Sequence, residues 1–406
     1  MADPREWILL NPGPANTTPS VRRALVTPDL CHREPEFFEV MRECRARLAR
    51  LAGGGSDWST VLIAGSGTAA VEAAIASAPP AGGALLVVVN GVYGDRMLRM
   101  ARAHGIAAEA LTYDIFTPAV PADVARALAA HPEISHVALV HHETTSGLLN
   151  PVAEVAAVAA RHGRRVIVDA MSSLFGEPFD LDLPALDFVT ASANKCLQGI
   201  PGVAFVLARR TALDALKGRP PRSVYLDLHN HWVQQEADNT PFTPAVQVLH
   251  AMRQALLELE AETVARRIAR YAENARVLRE GMARLGFESL VPPPARSSIL
   301  TTLRLPAGVT YGLHHLRRAG GPAHLRLPRL QHGHAHPGRH GRCRRSLRRQ
   351  PERGRLVPGE VQVLDEEAVG VSRSATAPPG RSECLGGMGG HFGAPHSTRR
   401  APPAAR

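Results

Sequence analysis

Short β-branched apolar runs alternate with alanine-rich stretches over the first three quarters of the chain. The runs are Val61–Ile63, Leu85–Val89, Val137–Val140, Val166–Val168, Phe188–Thr190 and Val203–Leu207. Between them, segments such as Ala69–Ser77, Ala122–Ala130 and Val152–His162 carry helical periodicity. Strands alternating with helices predict an α/β fold with a largely parallel sheet covered on both faces. From Thr243 a long helical pattern runs to about Leu285, with Glu and Arg on its polar face. Such an element leads into a second, smaller domain, and Phe287–Leu305 reads as the beginning of that domain's sheet. The predicted division is an N-terminal arm over 1–20, a large domain over 21–245 and the start of a small α+β domain over 246–311.

The pattern ends abruptly there. Gly312–Leu356 contains no Val, Ile, Met, Phe, Tyr or Trp, and of the chain's 18 aromatic residues only Phe392 follows Tyr311. Such a stretch cannot bury enough apolar area to offset its ordering entropy. The small domain is therefore expected to be incomplete or disordered after about residue 312. Three readings fit the segment 312–406, rich in Arg, His, Pro and Gly. One is a nucleic-acid-binding tail, although it has no aromatic residues interleaved for stacking and no lysine. Another is a histidine-rich metal site around Gln331–His340, although the spacing is irregular. The third, which the composition favours, is GC-rich codons read in a shifted frame.

Charge sharpens the same boundary. The formal net charge of +10 would ordinarily point to nucleic acid or an acidic surface. Residues 312–406 hold 17 arginines against 6 acidic side chains, so the rest of the chain is close to neutral. No nucleic-acid partner is expected on that ground. No apolar run reaches the ~20 residues of a membrane helix, and Met1–Trp7 lacks the layout of a secretory signal. Cys31, Cys44, Cys196, Cys343 and Cys384 are odd in number and scattered, without a metal or disulfide pattern. Free thiols in the cytoplasm are the expectation.

Three segments carry candidate chemistry. Ala64–Glu72 (AGSGTAAVE) lies between a strand and a helix, where glycines and a helix N-terminus suit an anion; Gly65, Ser66, Gly67 and Thr68 would cradle a phosphate. A plain strand-to-helix turn looks similar. Val166–Ser173 (VIVDAMSS) puts Asp169 at the carboxyl edge of the sheet, where open α/β folds bind ligands. There it would pair with a protonated pyridine nitrogen, or cap a helix. In Ala191–Gly202 (ASANKCLQGIPG), Lys195 is one of only two lysines and also follows a strand end. Its small polar neighbours are untypical of a surface helix, and an amine there could bond a cofactor aldehyde and relay a proton.

Five more segments join these in order: Leu9–Pro14 (LLNPGP), Asn90–Arg96 (NGVYGDR), His141–Pro151 (HHETTSGLLNP), Tyr225–Trp232 (YLDLHNHW) and Phe242–Pro244 (FTP). Together they resemble the class V aminotransferases, enzymes of the pyridoxal-phosphate (PLP) fold type I, over roughly three quarters of the chain. Within that family the likeness is to members that use 2-aminoethylphosphonate and pyruvate. Related members acting on alanine or serine with glyoxylate or pyruvate are the alternative, as is an impaired remnant that retains only the cofactor fold. The resemblance implies a cofactor, pyridoxal 5'-phosphate, carried by Lys195 and paired through its ring nitrogen with Asp169. It implies that Ser66, Gly67 and Thr68 hold the phosphate, supported by Ser192, with Thr145 on the ring hydroxyl. Tyr93 would stack on the ring, or serve as a core aromatic. Asn11–Pro14 would form part of the substrate wall. Thr243 would reach the cofactor of a neighbouring subunit, implying a homodimer. Relatives also carry an aromatic–Arg strand that clamps an anionic substrate group. No such strand is found here, and Arg339 and Arg342, at about the right distance along the chain, are not assigned.

Overall fold

A computed structural model of the chain describes residues 9, 11 and 13–304, together with the backbone of a strand over Glu360–Leu364. Two helices come first, α1 (Pro19–Arg23) and α2 (Pro35–Leu51). Both begin on a proline, whose fixed φ and missing N–H suit a first helical turn. Helix α2 buries Phe37, Val40, Met41, Cys44 and Leu48, one stripe at helical spacing. The α/β run then follows: β1 (Trp58–Gly65), α3 (Gly67–Ser77), β2 (Ala84–Val89), α4 (Val92–Ala103), β3 (Ala108–Thr112), α5 (Pro121–Ala130) and β4 (Ile134–Val140). A small hairpin, β5 (His142–Glu143) with β6 (Leu148–Leu149), precedes α6 (Val152–Arg161), β7 (Arg165–Asp169), β8 (Leu186–Ser192) and β9 (Gly202–Arg209). Helices α7 (Arg210–Asp214), α8 (Leu228–Glu236), α9 (Val246–Glu262) and α10 (Val264–Arg284) lead to β10 (Glu288–Ser289) and β11 (Leu300–Arg304); β12 is Glu360–Leu364.

The main sheet has seven strands in the order β1-β9-β8-β7-β4-β2-β3. The five from β8 to β3 are parallel, while β9 runs antiparallel to both β8 and β1. Side chains alternate between two apolar layers. On β2, Leu86 and Val88 join one layer while Leu85 and Val87 join the other. The first layer is closed by α2, α5, α6 and α9, and the second by α3, α4, α7 and α8. This is the doubly covered α/β sheet that the apolar runs predict, and all six runs fall inside strands.

One expectation needs correction. The helical pattern from Thr243 to Leu285 is not one helix. Thr263 takes φ 69°, ends α9 and starts α10, its hydroxyl accepting from the Arg266 amide at 3.3 Å. A side chain that caps a helix competes with helix continuation, and apolar periodicity does not register that competition. In the tail, Glu360–Leu364 pairs in parallel with β11 as the third strand of the sheet β10-β11-β12. The sequence there is EVQVL, alternating and β-branched, and it lies beyond the stretch that lacks such residues. The remainder of 312–406, with Arg339, Arg342 and Gln331–His340, lies outside the described residues.

Candidate active site

The carboxyl ends of β7 and β8, the β1–α3 turn and the start of α4 surround a cleft of ≈ 520 Å³. Gly65, Ser66, Gly67, Thr68, Tyr93, Asp169, Ser192 and Lys195 all line it. Residues more than a hundred positions apart thus converge on one sheet edge, because parallel strands end their carboxyl termini on the same side.

Asp169 is the last residue of β7, is buried, and accepts from the Met171 amide at 2.8 Å. Burial pushes its carboxyl up to about 6, against the Met171 hydrogen bond; nearby Glu143 adds to the rise, while Arg96 and Lys195 oppose it. A cation beside Asp169 would draw it back to the carboxylate. Lys195 follows the end of β8, and Gly13 of the N-terminal segment lies against it, so closely that a methyl group on Gly13 would overlap Nζ. The Ala15 amide donates to the Asn194 carbonyl at 2.9 Å, fastening that segment to the lysine loop. Ser192 donates to Asn194 Oδ1 at 2.9 Å on the same turn.

Ser66 is the N-cap residue of α3, and its hydroxyl makes no capping bond. The first-turn amides of a helix lack intrahelical partners, and here they face the cleft with the positive dipole end. A side chain at Gly67 would run into the Met171 thioether.

Tyr93 lies in the first turn of α4 and is partly buried against the cleft, where burial raises its phenol above the ordinary range. Its position depends on Glu143, a fully buried carboxylate that sequence reasoning passed over. Glu143 accepts from the amides of Tyr93 (3.2 Å), Gly94 (3.3 Å) and Thr145 (3.0 Å) and from the Thr145 hydroxyl (2.5 Å). Its carboxyl is raised by burial, with the four donors pulling the other way. Thr145 is buried behind the cleft wall, its Oγ1 also accepting from the Val92 amide at 3.0 Å. The signal for Glu143 was present, an acid within HHETTSG, but two of its four donors lie about fifty residues away in NGVYGDR.

His142 and His141 sit beneath, each Nδ1 against a serine hydroxyl, Ser172 at 2.9 Å and Ser173 at 3.0 Å. Burial drives them down to about 3 and about 4, so both are neutral at neutral pH. Thr243 is not in the cleft. It is exposed beside a smaller depression with Tyr225 and Phe242, whose rings are 5.0 Å apart. Tyr225 donates to the carbonyl of Ala64, next to the phosphate-type turn. Among the described residues no cluster of side chains could hold a metal ion, and no helix is long and apolar enough to cross a membrane.

The fold and the cleft together define a pyridoxal-phosphate-dependent transferase. The chain belongs to the aminotransferase class-V family, whose model matches residues 20–305. It is 43% identical over 313 residues to the 2-aminoethylphosphonate–pyruvate transaminase of Syntrophobacter fumaroxidans, covering 76% of this chain and 84% of that one. Identity to the Aeromonas hydrophila enzyme of the same name is 44%, over 75% and 82% of the two chains. Among solved structures it is similar to an alanine–glyoxylate aminotransferase from Nostoc sp., with a TM-score of 0.73 and 27% identity over 80% and 88%. A pyridoxamine–pyruvate aminotransferase from Mesorhizobium loti superposes with a TM-score of 0.72 at 28% identity over 79% and 83%.

The residues present fit pyridoxal phosphate. The cleft is of the size that small ligands occupy. It brings together an amine, a buried carboxylate and a helix N-terminus. Glycine stands at the two points, 13 and 67, where a side chain would intrude.

Proposed function

We propose that this enzyme transfers the amino group of 2-aminoethylphosphonate to pyruvate, giving phosphonoacetaldehyde and L-alanine. The observation that carries the reading is the 43–44% identity to transaminases of that name, extending over more than four fifths of their length. Bound in the cleft, pyridoxal phosphate supplies an aldehyde carbon that exchanges the amino group and a ring that takes up electrons. Lys195 Nζ would hold that carbon, and its amine would move the proton at the substrate's amine-bearing carbon. Asp169, as a carboxylate, keeps the ring nitrogen protonated. Ser66, Gly67 and Thr68 hold the phosphate with the first amides of α3, supported by Ser192, while Tyr93 forms the ring's wall and Thr145 meets the ring hydroxyl. Thr243, exposed beside Ala64, fits contact with a second copy across a homodimer interface. The thiols of Cys31 and Cys44, neither in a disulfide, suit the cytoplasm.

Absorbance of the purified protein with pyridoxal phosphate, before and after 2-aminoethylphosphonate, tests this reading. The band near the visible should shift on adding the phosphonate, and should shift less with alanine as donor. Lys195→Ala should lose turnover by several orders of magnitude; near wild-type turnover would sink the assignment. A faster response to alanine than to the phosphonate would move the enzyme to the alanine-using branch of the family.

A further inference from the structure

Arg96 is the cleft residue with a full positive charge that none of the roles above absorbs. It lies on α4, three residues after Tyr93, so both side chains leave the same helix face. Its guanidinium carbon stands 4.8 Å from the centre of the Tyr93 ring, and Nη1 donates to Thr68 Oγ1 at 3.4 Å. The acids on the adjoining helices are engaged elsewhere: Asp95 with Arg99 at 2.9 Å, and Glu72 with His104 at 3.0 Å. Among the described residues no carboxylate is within ion-pair distance of Arg96, although it lines the cleft and is partly buried. A partly desolvated guanidinium that feels Asp169 only at longer range and has no ion-paired carboxylate favours an incoming anion. The hydrogen-bond direction says which one. Arginine only donates, so Thr68 Oγ1 is the acceptor, and the hydroxyl's own hydrogen remains to be donated. That hydroxyl belongs to the β1–α3 turn, whose glycines and helix N-terminus favour negative charge.

We propose that Arg96 is a positioning residue of the phosphate cradle, turning the Thr68 hydroxyl toward the cofactor's phosphate monoester and offsetting part of its charge. The stack on Tyr93 holds the guanidinium in place and ties the ring wall to the phosphate end. The proposal rests on the cofactor reading given above. It assigns Arg96 to the phosphate and not to the phosphonate of the substrate, which presents similar oxygens.

Equilibrium dialysis of the full chain with pyridoxal phosphate and, separately, with pyridoxal tests it. Arg96→Gln should weaken binding of pyridoxal phosphate by roughly 10- to 100-fold, the worth of a hydrogen bond to a charged group, and leave pyridoxal nearly unchanged. Arg96→Lys, which keeps the charge without the planar fork, should recover part of the loss. Thr68→Val should lose affinity too, and the double variant should lose less than the sum of the two. Equal loss of both compounds would place Arg96 at the ring instead and overturn the proposal. So would unchanged cofactor binding with a KM for 2-aminoethylphosphonate raised tenfold or more. If Arg96→Gln does not fold, Arg96→Lys and Thr68→Val carry the same comparison. Failure of the wild-type chain to bind pyridoxal phosphate would instead overturn the cofactor reading itself.

Discussion

Asp169 and Glu143 are both buried acids, yet they act differently because their donors differ. Asp169 has one amide at 2.8 Å and is held up to about 6 from an ordinary 3.8. A raised carboxyl binds its proton more tightly in the fold than in the unfolded chain, so stability falls as pH climbs through 3.8 to about 6 and then levels. In the cofactor-free protein, Asp169→Asn should therefore be more stable than wild type by about 3 kcal/mol at pH 7, and little different near pH 4. Urea titrations at both pH values check this, and with pyridoxal phosphate bound the order should invert. Glu143 has four donors, and Glu143→Leu strands them. It should cost about 3 kcal/mol or more and loosen Tyr93, seen as lower cofactor affinity in protein that still folds. Lys195, Asp169 and Ser66–Thr68 were legible as single letters because each sits at a strand end marked by its own neighbours. Glu143 and Arg96 were not, since their meaning lies in contacts across 50 and 28 residues of chain.

At the scale of elements, the cleft depends on how closely α4 approaches the sheet. A methyl group on Gly94 would stand 2.5 Å from the Val88 carbonyl oxygen, which is backbone and cannot step aside. Gly94→Ala should lift α4 off β2 and cost on the order of 1–3 kcal/mol, read from denaturant midpoints. It should also weaken pyridoxal phosphate binding, because Tyr93 and Arg96 ride on that helix. Helices and central strands were readable from periodicity, as buried parallel strands make continuous apolar runs. Strand β3, AEALT at the sheet edge, was not: four of its five residues are polar or alanine, and three are exposed. The α9–α10 break escaped for another reason. Apolar spacing continues through Thr263, and only a backbone at φ 69° separates the helices.

For the whole molecule, acid should be the weak side. His136 and His142 are driven to about 3 and His141 to about 4 by burial, all from an ordinary 6.5. Each is neutral in the fold but protonated once unfolded below 6.5, so stability drops as pH falls. Near pH 5 the three contribute on the order of 4 kcal/mol per pH unit, and Asp169, raised, offsets roughly one quarter of that. Unfolding followed from pH 7 to 5 should show a net loss of about 4 kcal/mol in all for these groups, steepest near pH 5, and a flat profile would contradict their burial as neutral imidazoles. The overall class was legible from the alternation of strands and helices, and the composition break at Tyr311 was legible too. The strand that 360–364 adds beside β11 was not, because a five-residue alternation inside an Arg-rich segment carries little weight. The close seat of Gly13 on Lys195 has a practical meaning for anyone handling this enzyme. Gly13 behaves as a stopper over the reactive amine. Trimming through residue 14 should leave a protein that folds around its sheet but lets water and stray aldehydes reach Lys195, so its bound cofactor should wash out faster than from the intact chain.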